Sequence, residues 1–141
     1  MKKIIMVLFS LAVLSAPVFA LESMPESAAF KKYQNRMPSE LSKLIYLLDR
    51  FNTTDTQIQI DGNIYTAEKA FPYGKSFLAK NYKKENAADW LREHCYRTKD
   101  ENKVIYIRFN EEKFRPFRDV LIEELERLNQ IESKGNSGQG A

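Results

Sequence analysis

The sequence predicts an α+β fold: a small antiparallel sheet, formed by a hairpin and a later strand or second hairpin, with about four helices packed on it. Two stretches, 39–51 and 116–128, set apolar residues at helical spacing, and two others, 57–65 and 103–109, alternate polar and apolar residues as half-buried strands do. The chain has 141 residues, which is room for one ordinary domain. All of these elements must therefore share one core.

Residues 1–20 have the three parts of a secretory signal peptide: Lys2 and Lys3, an apolar run over 4–14 broken only by Ser10, and small residues at Val18 and Ala20. That run is too short for the roughly 20 residues a membrane helix needs, and Pro17 breaks the helix before the chain turns polar at Glu22. Cleavage is expected near Ala20, with Ala16 as an alternative, and the absence of a Cys at either site argues against a lipoprotein. Loss of Lys2 and Lys3 reduces 22 basic residues to 20 against 19 acidic ones, a net charge of +1. Such a balance does not suit a general nucleic-acid binder.

Residues 21–37 mix Ser, Glu, Pro, Lys and Ala, and read as a loosely ordered lead-in with a turn of helix near 28–33. A single domain is expected over 38–132. Its first helix starts after Pro38 and Ser39, and Leu41, Leu44, Ile45, Leu48 and Phe51 form its apolar stripe. Alternation over 57–65 around Asp61-Gly62 predicts a hairpin closed by a two-residue type I′ turn. Thr66 suits a helix cap, but Pro72 and Gly74 predict that the following helix is kinked or in two pieces before Tyr82. Asn86, with Asp89 three residues on, opens another helix carrying Ala88, Leu91 and Cys95 on one face with Trp90 beside them, ending near Thr98.

Asp100, Glu101 and Asn102 then turn the chain into the strand 103–109, with Ile105, Ile107 and Phe109 on one face and Val104, Tyr106 and Arg108 on the other. After a turn at 110–112, residues 113–115 suit a short edge strand. Pro116 fits the first position of a last helix with an apolar stripe at Phe117, Val120, Leu121, Leu125 and Leu128, and Glu123 and Arg127 as an outward i, i+4 pair. Residues 133–141, with three glycines and no large aliphatic side chain, read as a flexible tail.

Taken together, Asp61-Gly62-Asn63-Ile64-Tyr65-Thr66-Ala67-Glu68-Lys69-Ala70, Ala88-Asp89-Trp90-Leu91, Ile105-Tyr106-Ile107-Arg108 and Arg118-Asp119-Val120-Leu121-Ile122-Glu123-Glu124-Leu125 resemble the YfeK-like family of small exported bacterial proteins that carry a domain of unknown function. The resemblance covers about half of the chain, and its motifs are structural positions. It implies the same fold and an exported location, and brings no activity, cofactor or partner with it. The residues at 71–77, with Pro72 and Gly74, depart from the plain helix usual in that family.

One Cys and one His exclude an internal disulfide framework and any Cys-rich or His-rich metal site. No glycine-rich phosphate loop, nucleophile elbow or metalloprotease helix occurs. No catalytic, cofactor or metal residues are therefore assigned, and no cofactor is expected. His94 and Cys95 are neighbours on a helix, about 100° apart, and cannot pair as base and thiolate. Cys95 falls on the apolar face as a structural thiol, with an intermolecular disulfide between two copies as the alternative. The carboxylate pairs Asp89 with Glu93, Glu111 with Glu112 and Glu123 with Glu124 each fit a solvated surface.

Arg108, Arg115 and Arg118, interleaved with Phe109, Phe114 and Phe117, are a candidate face for an anion or glycan, and Lys80, Lys83 and Lys84 with Tyr82 form a second basic patch. The sequence is thus read as an exported, periplasmic or secreted protein. It is expected to act as a non-enzymatic module that binds an envelope protein or glycan, without nucleic acid, and touching the membrane only through its leader before cleavage. A small hydrolase of envelope substrates using Asp89 and Glu93 is the alternative.

Overall fold

Alternation of Thr56, Ile58 and Ile60 with Gln57 and Gln59 builds one of the two inner strands of the sheet in the computed structural model, which describes residues 22–139. The leader expected over 1–20 and the end of the expected tail, 140–141, lie outside these residues. The chain runs through α1 (Ala28–Gln34), α2 (Glu40–Phe51), β1 (Thr56–Ile60), β2 (Asn63–Thr66), α3 (Ala67–Asn81), α4 (Ala87–His94), β3 (Ile105–Phe109), β4 (Arg115–Pro116) and α5 (Phe117–Gln139). The strands form one antiparallel sheet in the order β2-β1-β3-β4. The fold is α+β, as expected, with five helices among the described residues. Among those residues no helix is long and apolar enough to cross a membrane.

Register puts Ile58 opposite Ile107 and Ile60 opposite Ile105, so one face of the sheet supplies core side chains. Gln57, Gln59, Tyr106 and Arg108 occupy the other. Asp61 and Gly62, at φ 52° and 81°, make the two-residue turn between β1 and β2 in the left-handed geometry that such a turn requires. Helix α2 lies against α1, α3, α4 and α5, and its Leu44, Tyr46 and Leu47 are at most 1% exposed. It is the hub of the helical layer.

Several expectations are corrected. The lead-in is part of the core: Ser27 caps α1 by accepting from Phe30 N, and Met24, Ala29, Phe30 and Tyr33 are buried. Tyr33 and Tyr46 pack with ring centroids 5.6 Å apart, and Tyr33 Oη donates to Glu132 at 2.7 Å. Sequence periodicity missed this because a seven-residue helix is only two turns long. Second, α3 is a single helix rather than two pieces. Pro72 sits on its exposed side, while Ala67, Phe71, Gly74 and Leu78 keep an inward stripe; a Cβ at Gly74 would lie 3.7 Å from Leu48 Cδ2, so packing holds the helix together across the proline.

Third, α4 ends at His94, and the next residues pair with the start of the third strand through an Arg97–Val104 bridge, leaving β3 to begin at Ile105. Pro116 closes β4, an edge strand that needs no N–H from it, and α5 starts at Phe117. Fourth, α5 continues to Gln139, past residue 132 where the domain was expected to end. On α5, Arg127 pairs with Glu124 at 3.0 Å, whereas Glu123 pairs with Arg115; the i, i+4 pair expected between Glu123 and Arg127 is replaced by these two.

Two polar devices lock the helices together. Glu124, 2% exposed, accepts from Arg50 Nε and Tyr46 Oη, each at 2.8 Å, and Arg50 also donates to the Glu22 carbonyl at 2.6 Å. Burial and this carboxylate hold the Tyr46 hydroxyl well above the ordinary tyrosine range. At the other end of α2, Glu40 accepts from Ala87 N at 2.9 Å, which caps α4 from a distance and lowers the Glu40 carboxyl pKa.

Candidate functional site

The helical stripe of α3 and the i, i+4 spacing of Trp90 and His94 on α4 turn four aromatic rings, Phe71, Phe77, Trp90 and His94, toward the gap between these helices and the sheet. The gap is a cavity of about 540 Å³, within the size range of small-ligand pockets. Its floor is made of buried residues, including Leu48, Ile58, Phe71, Trp90, Cys95 and Phe117. Phe77, Trp90 and His94 form a ring cluster on one wall, with centroids 4.9 to 6.1 Å apart. Trp90 Nε1 is buried without a hydrogen-bond partner, an unusual condition for a donor.

Exposed side chains mark the rim: Tyr73, Lys80, Arg97, Lys99 and Asp100. Lys80 and Lys99 have no carboxylate within ion-pair distance among the described residues, and Arg97 donates to the Asn102 carbonyl while lying over the Tyr96 ring. An apolar interior therefore opens through three cations and one carboxylate. Chemically, it can enclose a small apolar body and hold a negatively charged end at the surface.

Of the residues of the expected aromatic-basic face, only Arg108 and Phe114 stay together. Arg108 and Phe114 stack at 4.5 Å, and Arg108 Nε donates to Gln57 at 2.7 Å on the outer side of the sheet. Phe109 is on the inner side, stacked on Phe51 at 5.6 Å. Arg115 is engaged by Glu123, whose carboxyl its hydrogen bond holds below the usual range. Arg118 lies over Tyr96 at 4.3 Å and pairs with Asp119 at 3.1 Å. The alternation of Arg and Phe along the chain divides between opposite faces of a strand and a helix start, so the residues do not gather into one face.

The carboxylate pairs do not converge either. Asp89 and Glu93 both have side chains 68% exposed, with Asp89 reaching Arg92 and Glu93 lying 3.8 Å from His94 Nε2. Glu111 and Glu112 are exposed in the turn before β4, and Glu123 and Glu124 point to different partners. Glu85, Glu93 and His94 bring one ligand atom each within 4.8 Å of one another, but two are consecutive on α4 and Glu93 is open to water, which is no closed coordination shell. Cys95 is 5% exposed, and burial pushes its thiol up to about 12, so a disulfide between two copies requires the end of α4 to open.

Sequence reasoning missed the cavity because its walls come from six elements between residues 48 and 117. The one available signal was the group of aromatic residues on α3 and α4 that the core does not fully absorb: Phe77 and His94 are only half-buried, and Tyr73 is 79% exposed. Comparison of the chain with protein-family models, with curated proteins and with solved structures finds no match.

Proposed function

We propose that this chain is an exported bacterial binding module, its export in keeping with the YfeK-like resemblance, which encloses a small apolar ligand in the cavity between α3, α4 and the sheet. The observation that carries this reading is the 540 Å³ apolar cavity with its aromatic wall. Export rests on residues 1–20, with cleavage near Ala20 and release into the periplasm or outside the cell. The carboxylate hydrolase is the weaker reading, because Asp89 and Glu93 stand in solvent on α4, away from the cavity floor.

Two measurements test it. Protein recovered from the envelope of its own host should have a mass beginning at Leu21; a mass retaining Met1 rejects export. A neutral environment-sensitive dye such as N-phenyl-1-naphthylamine should bind the folded chain and change the emission of its one tryptophan, Trp90. Ala70→Phe, which places a ring in the cavity, should weaken uptake while the unfolding transition stays cooperative. Absence of uptake, or uptake indifferent to Ala70→Phe in a folded variant, refutes the binding site.

A further inference from the structure

We infer that the ligand of this cavity is a single-chain anionic amphiphile, its tail among Phe71, Phe77 and Trp90 and its head at Lys80, Arg97 and Lys99; this rests on the binding reading above. The tail is argued from the floor, where Leu48, Ile58, Phe71 and Phe117 are buried and offer no hydrogen bonds to a polar ligand. The head is argued from charge. Three cations and one carboxylate, Asp100, ring the opening, although the whole chain carries 22 basic against 19 acidic residues. The excess at the rim is therefore local.

These cations are also available. The basic side chains Arg36, Arg50, Lys75 and Arg115 are held by carboxylates within the fold, whereas Lys80 and Lys99 reach none among the described residues. Arg97 keeps one side of its guanidinium on Tyr96 and donates one hydrogen bond to a carbonyl, which leaves further N–H donors for an anion. A cationic amphiphile meets repulsion at the same place, and a neutral one loses the head contact. A two-chain lipid would have to place its second chain outside a cavity of about 540 Å³.

The test uses the delipidated mature chain from Leu21 and three probes of equal length: dodecanoate, dodecanol and dodecyltrimethylammonium, with Trp90 emission as the readout below the micelle concentration of each. Dodecanoate should bind about fivefold or more tighter than dodecanol, as partly exposed charge contacts permit, and the ammonium weakest. The dodecanoate preference should shrink in high salt and disappear in Lys80→Gln/Arg97→Gln/Lys99→Gln, whose dodecanol affinity should be unchanged. Equal or tighter binding of dodecanol, or a preference that survives the triple variant, overturns the anionic head and leaves the apolar site standing. Failure of all three probes to bind overturns both.

Discussion

Replacing Glu124 by Leu removes the acceptor of two buried donors, Arg50 Nε and Tyr46 Oη, both at 2.8 Å. Arg50, 7% exposed, is then a buried cation with only the Glu22 carbonyl left among its contacts. Breaking one side of a buried ion pair costs about 3–5 kcal/mol, a large share of the roughly 5–15 kcal/mol that holds a domain folded. For a domain of this size that lowers the melting temperature by about 10–25 °C. Urea unfolding followed by Trp90 emission measures it directly, since the chain has one tryptophan, buried on α4. The same reasoning requires recovery: Arg50→Met added to Glu124→Leu removes the stranded charge, and Tyr46→Phe then removes the stranded hydroxyl, so the triple variant should regain most of the lost stability. A loss under about 1 kcal/mol in Glu124→Leu, or a triple variant no more stable than the single one, refutes the account of this cluster as a mutually dependent buried network.

Three further outcomes are expected of the same structure. Burial raises the Asp49 carboxyl pKa, but hydrogen bonds from Lys75 and Arg36 outweigh it and leave the group below its ordinary 3.8. The folded state thus binds this proton less readily than the unfolded one, so the stabilisation is complete above the unfolded value and lost as pH falls through the folded one; Asp49→Asn should flatten acid unfolding in that range, and an unchanged acid limb counts against it. Gly74→Ala should raise stability by about 0.5–1 kcal/mol in urea melts, because the added methyl makes an ordinary contact with Leu48, whereas Gly62→Ala, at φ 81°, should lower it by about 1–2 kcal/mol. Cys95 should react with a thiol reagent only slowly until urea opens the fold, and non-reducing electrophoresis should show the same mobility for the native chain and Cys95→Ser; rapid labelling or a Cys95-dependent dimer would contradict its burial.

The elements with strong periodicity were readable from residues alone. Helix α2, the Asp61-Gly62 hairpin and β3 follow their sequence patterns closely because each pattern is satisfied within a dozen residues: an apolar stripe every three or four positions, two residues at positive φ, an alternation with period two. The caps at Ser39, Thr66 and Asn86 belong with them, since each side chain accepts from a backbone N–H three residues on. Where the reading failed, a local rule met a distant partner. Pro72 predicts a break, yet the contacts of Phe71, Gly74 and Leu78 carry α3 through it; the lead-in lacks periodicity, yet Phe30 and Tyr33 find Tyr46.

By itself, then, the chain determined its α+β class, most of its elements and the chemistries its residue types exclude, because those depend on short-range spacing and on composition. Tertiary structure alone decided that Arg115 is taken up by Glu123, that Glu124 meets Arg50 across 74 positions, and that Phe77, Trp90 and His94 stand around one cavity. The physical reason is that burial rewards apolar area and punishes unpaired charge wherever along the chain the partner lies, so the site depends on the folded arrangement and no local pattern encodes it.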